Sequence, residues 1–92
     1  MSTISISQRH AKSDDDVRQM LAALAEKLKH EYDVHVQWLN DDELQLKRSG
    51  IEGRLVMLAG EVKVDIRLGM LMRPFKAKIR DELSRAMAEK LA

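Results

Sequence analysis

The sequence predicts an α+β protein in which five antiparallel strands form one sheet and two helices cover one face of that sheet. Three observations lead to this prediction. Apolar residues recur at helical spacing in two long segments, and they alternate with polar residues in five short ones. The connections between the later strands are too short for parallel crossovers. The expected order is β-α-β-β-β-β-α, in a single domain over residues 1–92.

The first strand and the first helix are predicted from adjacent segments near the N-terminus. Ile4 and Ile6 alternate with serines, which is typical of a short, half-buried strand. Ser13, followed three residues later by Asp16, resembles a capping box and indicates the start of a helix. An apolar stripe at steps of three and four residues follows, so we expect a helix over residues 14–31.

Three short segments of alternating polarity follow the helix and are separated by turn-forming residues. The predicted strands span residues 34–39, 44–47 and 54–58. The first connection is the turn cluster Asn40-Asp41-Asp42, and the second, at 49–53, contains Gly50 and Gly53. Both glycines are expected to supply the positive φ that tight turns require.

The fifth strand has the most regular alternation, because four apolar residues from Val62 to Leu68 are separated by charged ones. Pro74 then stands where the first turn of a second helix is expected, and this helix runs to the C-terminus. Each element has one apolar side, so both helices should pack on the same face of the sheet. We expect a thin core and no cleft in which reactive groups could meet.

Composition and motifs argue against catalysis and cofactor binding. The absence of cysteine excludes disulfides and thiolate metal sites. His10, His30 and His35 do not have the spacing of a metal-ligand pair, so no metal is expected. The chain lacks a phosphate-binding loop, a dinucleotide fingerprint and a nucleophile elbow. We therefore expect a protein that is not an enzyme, with no catalytic residues and no cofactor.

Charge is distributed unevenly along the chain. Residues 1–46 carry five bases and nine acids, whereas residues 47–92 carry eleven bases and six acids. This asymmetry favours an anionic partner for the second half. The N-terminus does not resemble a signal peptide, and no apolar run approaches the ~20 residues of a transmembrane helix. We expect a cytoplasmic protein without a transmembrane segment.

An apolar run at the junction between the fifth strand and the second helix is the candidate contact surface. Part of this run should close the core, and the remainder should be exposed to a partner or an apolar surface. Neighbouring cations could meet an anionic partner. The candidate contact residues are Arg67, Met70, Leu71, Met72, Arg73 and Lys76.

Four segments in order give the chain a resemblance to a known family. They are Ile4-Ser5-Ile6 with His10, Ser49-Gly50-Ile51-Glu52-Gly53-Arg54, Val64-Asp65-Ile66-Arg67-Leu68-Gly69, and Phe75-Lys76 with Ile79. Together they resemble the polyhydroxyalkanoic acid system proteins, small bacterial proteins encoded among genes for polyhydroxyalkanoate synthesis and use. The resemblance implies a role in polyhydroxyalkanoate storage, at the granule surface or with a granule-associated protein. It implies no known reaction.

Two other functions are left open by the sequence. A curved sheet with a long C-terminal helix resembles helix-grip folds, which would make the protein a small-ligand or lipid binder. The element order also resembles small RNA-binding or ribosome-binding modules, although the near-neutral charge and the three aromatic residues disfavour nucleic acid. A free edge of the first or second strand would allow a homodimer.

Overall fold

The computed structural model describes residues 2–91 of the chain. Its elements are β1 (Ser2–Arg9), α1 (Asp14–Tyr32), β2 (His35–Asn40), β3 (Glu43–Arg48), β4 (Ile51–Leu58), β5 (Glu61–Leu68), a 3-10 turn (Met70–Phe75) and α2 (Lys76–Lys90). The five strands form one antiparallel sheet in the order β1-β5-β4-β3-β2. The predicted α+β class and element order are confirmed.

The chain path explains why the first strand lies beside the last one. After β1, helix α1 carries the chain to the opposite edge of the sheet, and β2 to β5 then return strand by strand. The register aligns apolar residues in rows across all five strands. One such row on the helix-covered face consists of Ile6, Val64, Leu55, Leu44 and Trp38.

Both helices pack on the same face of the sheet. Leu21 of α1 and Leu83 of α2 are fully buried, in one cluster with the inward residues of β3, β4 and β5. The other face of the sheet carries mostly polar and charged side chains. This confirms the predicted one-sided arrangement. Neither helix within residues 2–91 combines the length and apolar character needed to cross a bilayer.

Local hydrogen bonds fix both ends of α1. The Asp16 N–H donates to Ser13 Oγ at 3.2 Å, which confirms the predicted start of the helix. At the other end, Asp33 adopts a left-handed conformation and its N–H donates to Lys29 O at 2.9 Å. The Arg48 guanidinium donates to Tyr32 O, which joins the end of β3 to the end of α1.

The connection between β3 and β4 differs from the prediction. The turn contains only Ser49 and Gly50, and β4 already begins at Ile51. Gly50 has a φ of 86°, whereas Gly53 lies buried inside the strand without a positive φ. A Cβ at Gly53 would lie 2.9 Å from Ile66 Cγ1, so this glycine is required for close packing rather than for a turn.

The entry into the second helix also differs from the prediction. Residues Met70–Phe75 form a 3-10 turn that contains Pro74, and α2 begins at Lys76. The Met72 N–H donates to Gly69 O at 3.0 Å, which is the three-residue closure of such a turn. β1 is also longer than predicted, because it pairs with β5 from Ser2 to Arg9.

The two edges of the sheet are formed by β1 and β2. Strand β2 has five exposed residues out of six, and it carries no lysine, arginine, aspartate or glutamate. Charged side chains are a usual means of protecting a sheet edge from pairing with another chain. The outer edge of β2 therefore lacks this protection.

Candidate functional site

The 3-10 turn carries the most exposed large apolar side chains of residues 2–91. Met70 is 80% exposed and Leu71 is 88% exposed. Phe75, at the end of the same turn, is also exposed. Large apolar side chains at adjacent positions with this exposure leave a small apolar surface in contact with water, which is typical of a contact site.

The backbone of the 3-10 turn explains why these side chains point outward. The Gly69 N–H donates to Gly50 O at 2.8 Å, which holds the start of the turn against the β3–β4 turn. Three residues complete each turn of a 3-10 helix, so Met72 and Phe75 share one side. Met72 is half-buried and packs against the core. Met70 and Leu71 therefore stay on the outer sides.

The apolar surface lies in a strongly basic segment. Residues 66–80 contain five basic residues and no acidic residue. Arg67 projects from the exposed face of the sheet, Arg73 is exposed on the 3-10 turn, and Lys76 is half-buried at the start of α2. Among residues 2–91, none of these three cations lies within 4.0 Å of a carboxylate. Their charge is therefore not neutralised by an ion pair.

The structure adds two cations that the sequence analysis did not place at this site. Lys47 and Arg48, at the end of β3, line a hollow of about 180 Å³ together with Arg67, Gly50 and Gly69. The register places Lys47 opposite Glu52 and Glu52 opposite Arg67 in three neighbouring strands. The adjacent basic pair before a Ser-Gly turn was visible in the sequence, but its distance from Arg67 depends on this register.

The structure thus brings most of the candidate contact residues together at one end of the sheet. Met70, Leu71 and Arg73 lie on the 3-10 turn, and Lys76 follows it directly. Arg67 lies three residues before the turn and lines the hollow. Met72 differs from the others because it faces the core and supports the turn from inside.

A second surface feature is a groove between α1 and α2, with a volume of about 520 Å³. Its apolar lining includes Met20, Leu24 and Ala86, and charged residues of both signs stand along its rim. The sequence analysis did not anticipate this groove, because it expected only that no cleft would form in which reactive groups could meet. The groove lies between the helices rather than between the helices and the sheet, where the hollow beside Tyr32 measures only about 10 Å³.

Tyr32 is buried behind the basic end of the sheet, and the half-buried Glu82 has one buried carboxylate oxygen, Oε2. Neither the Tyr32 hydroxyl nor Glu82 Oε2 has a hydrogen-bond partner within residues 2–91. Burial raises the pKa of Tyr32 above its ordinary value of 10.0, and the negative charges of Glu82 and Glu31 raise it further. Tyr32 therefore stays neutral at physiological pH and is not suited to act as a base.

Comparison with known proteins gives a match at the level of a family. Searches of the curated proteins and of the solved structures found no match to this chain. A family model described as "Putative polyhydroxyalkanoic acid system protein (PHA_gran_rgn)" covers residues 4–91. That range includes the whole sheet from Ile4 onward, both helices and the basic end with its 3-10 turn. The chain therefore belongs to the polyhydroxyalkanoic acid system protein family.

Proposed function

We propose that this protein docks on the surface of polyhydroxyalkanoate storage granules through the 3-10 turn. The observation that carries this proposal is the exposure of Met70 and Leu71 at adjacent positions of one turn. Family membership supplies the context, because the family name refers to polyhydroxyalkanoate systems. Docking on a granule would remove these two exposed apolar side chains from water.

The expected strength of this contact follows from the area that it can remove from water. Full burial of one leucine or methionine side chain contributes about 1.5–3 kcal/mol, so the pair contributes roughly 3–6 kcal/mol before the costs of association. A free energy of binding near 4 kcal/mol corresponds to a Kd of about 1 mM. Docking by the apolar residues alone is therefore weak and reversible.

The proposed role does not include catalysis. Among the contact residues of the 3-10 turn, Met70 and Leu71 are apolar and Arg73 is permanently cationic, because arginine does not give up its proton in proteins. Such groups can bind and orient an anionic surface, but they are poor general acids and bases at neutral pH. A contact surface formed by Met70, Leu71 and Arg73 fits adhesion better than a reaction.

Fractionation of cells that accumulate the polymer tests the proposal. We expect the protein to sediment with the granules, and Met70→Ser with Leu71→Ser to move it to the supernatant without lowering its melting temperature. Leu58→Ser is the matched control, because Leu58 is 43% exposed and lies at the opposite end of the sheet, about 23 Å away along β5.

Two results would contradict the proposal. One is a wild-type protein that stays wholly in the supernatant of polymer-containing cells. The other is a double variant that remains on the granules as completely as the Leu58→Ser control. In the second case a granule-associated protein that binds another surface of the molecule would explain the sedimentation.

The alternatives predicted from the sequence have narrower support. A small ligand or lipid would use the groove between α1 and α2, whose rim includes Lys27, Arg85, Glu82 and Glu89 and thus favours no single charge. An RNA-binding module of the sheet-face type needs aromatic side chains on which bases can stack. The side chains along β5 on that face are Glu61, Lys63, Asp65 and Arg67.

A homodimer through the free edge of β1 or β2 remains a prediction.

A further inference from the structure

We propose that the hollow between the β3–β4 turn and the end of β5 binds the phosphate of an anionic phospholipid headgroup. The 3-10 turn would enter the apolar layer beside that headgroup. This inference rests on the proposed docking function and names the chemistry of the surface. The observation behind it is that three cations, Lys47, Arg48 and Arg67, lie next to two exposed apolar side chains. These side chains are Met70 and Leu71.

The charge in the hollow is the first argument. Lys47, Arg48 and Arg67 line it, and Glu52 is its one acidic lining residue. Neighbouring strands lie about 4.8 Å apart, so Glu52 stands between Lys47 and Arg67 in the register. No ion pair within 4.0 Å forms between them in the described chain. The hollow therefore keeps a net positive charge.

The second argument concerns hydrogen-bond donors. Arg48 uses its Nε to donate to Ser49 O at 3.3 Å and its Nη1 to donate to Tyr32 O. Five N–H groups are present on a guanidinium, so about three remain for a ligand. The two bonds already made hold the side chain in place, which lowers the entropic cost of binding. The Gly69 N–H is donated to Gly50 O, so side chains must supply the contacts.

The third argument distinguishes a lipid from free phosphate. Gly69 lines the hollow, and Met70 follows it at the one-residue spacing of about 3.8 Å between Cα atoms. A soluble phosphate would leave Met70 and Leu71 in water. A phospholipid offers its phosphate and its acyl layer side by side, so it satisfies both parts of the site. The combination of a basic hollow with exposed Met70 and Leu71 also disfavours a nucleic acid, because its bases require aromatic surfaces on which to stack.

Vesicle co-sedimentation with the full chain tests this inference. The probes are vesicles of phosphatidylglycerol mixed with phosphatidylcholine and vesicles of phosphatidylcholine alone. We expect tighter binding to the anionic vesicles and a loss of about fivefold each for Lys47→Gln and Arg67→Gln, since one cation near an anionic membrane contributes on the order of 1 kcal/mol.

Lys63→Gln is the matched control. Lys63 lies on the same strand and the same face as Arg67, about 13 Å away, which exceeds the screening length of about 8 Å at physiological salt. Its removal should change vesicle binding by less than about twofold. Melting temperatures of all three variants should equal that of the wild type, because each replaced side chain is exposed.

Several outcomes would overturn the headgroup inference. Equal binding to neutral and anionic vesicles would do so, as would an equal loss for Lys63→Gln and Arg67→Gln. Saturable binding of inorganic phosphate or RNA without vesicle binding would also contradict it. The docking proposal fails separately, if Met70→Ser with Leu71→Ser leaves the protein on granules. Charge-independent binding that still requires Met70 and Leu71 would retain docking and reject the headgroup.

Discussion

The two ends of the sheet differ in whether their arginine side chains form ion pairs. At the acidic end, formed by the start of α1 and the β2–β3 turn, Arg18 lies 3.1 Å from Asp15 and 3.8 Å from Asp42, and its Nε donates to Asp41 O. At the basic end, formed by the 3-10 turn and the β3–β4 turn, Arg67 and Arg73 lie in no ion pair within the described chain.

The same contrast extends to the helix starts. Helix α1 begins at the acidic end with a serine cap and three aspartates, which suit the positive end of the helix dipole. Helix α2 begins at the basic end without a side-chain cap and without an acidic residue in its first turn. The acidic end is thus arranged for internal stability, and the basic end retains unpaired charge that can interact outside the molecule.

The largest expected effect on the free energy of unfolding comes from replacing a glycine in a turn at either end of the sheet. Gly50 and Gly60 both have positive φ, which costs a residue with a side chain about 1–2 kcal/mol. A Cβ at Gly50 would lie 3.1 Å from Met72 Cγ, whereas the nearest atom at Gly60 is 3.6 Å away. We expect Gly60→Ala to lower the free energy of unfolding by about 1–2 kcal/mol.

Gly50→Ala should lower the free energy of unfolding more than Gly60→Ala does. The reason is that Met72, which packs the 3-10 turn against the core, must move to make room for the new Cβ. Denaturant titration of both variants measures the difference. Amide exchange in the segment after Gly69 should also accelerate in Gly50→Ala and remain unchanged in Gly60→Ala. Equal costs with no change in exchange would show that the two turns are not supported differently.

A smaller effect is expected from Tyr32, behind the basic end. Tyr32→Phe removes a buried hydroxyl that has no partner in the described residues, so we expect a gain of about 1 kcal/mol in the free energy of unfolding at neutral pH. The raised pKa means that the folded state favours the neutral phenol. Ionisation of Tyr32 therefore leaves the free energy of unfolding of the wild type unchanged below pH 10.0. It lowers that free energy as the pH rises through the raised pKa.

Alkaline titration checks this assignment directly. Tyr32 is the only tyrosine of the chain, so tyrosinate absorbance reports its ionisation alone. The wild type should lose stability relative to Tyr32→Phe above pH 10.0. A tyrosinate transition at the ordinary pKa, or parallel stability curves for the two proteins, would contradict the burial of this hydroxyl.

The smallest effect compares a paired with an unpaired arginine. Arg18→Met removes two ion pairs and a hydrogen bond, so we expect a loss of about 0.5–1 kcal/mol that shrinks in high salt. Arg67→Met should change the free energy of unfolding by less than about 0.5 kcal/mol. Thermal melts at low and high salt measure both. A larger loss for Arg67→Met would mean that the basic end also serves the fold.

Elements with a regular pattern were predictable from the sequence. The alternation in β5 and the cap with its following stripe in α1 determine structure locally, and the structure has them within one residue of the predicted bounds. The start of β4 was missed because Gly53 was interpreted as a turn residue. Its actual role depends on the side chain of Ile66 in the neighbouring strand, which no local pattern reveals.

The candidate site was predictable only in part, for a similar reason. The apolar run and its cations are adjacent in the sequence, and Met70 and Leu71 are exposed, in line with the expectation that part of the run would be. The inward direction of Met72 follows from the 3-10 geometry, which was not predicted. Lys47 and Arg48 reach Arg67 through the pairing of three strands, so their contribution required the structure.

The opposite charges at the two ends give the molecule a permanent electric dipole along the strands. Near a negatively charged surface this dipole experiences a torque that turns Met70 and Leu71 forward before any contact forms. A larger fraction of the encounters with the surface then leads to binding. Added electrolyte should accordingly slow arrival at the surface, because it screens the interaction between this dipole and the charged surface.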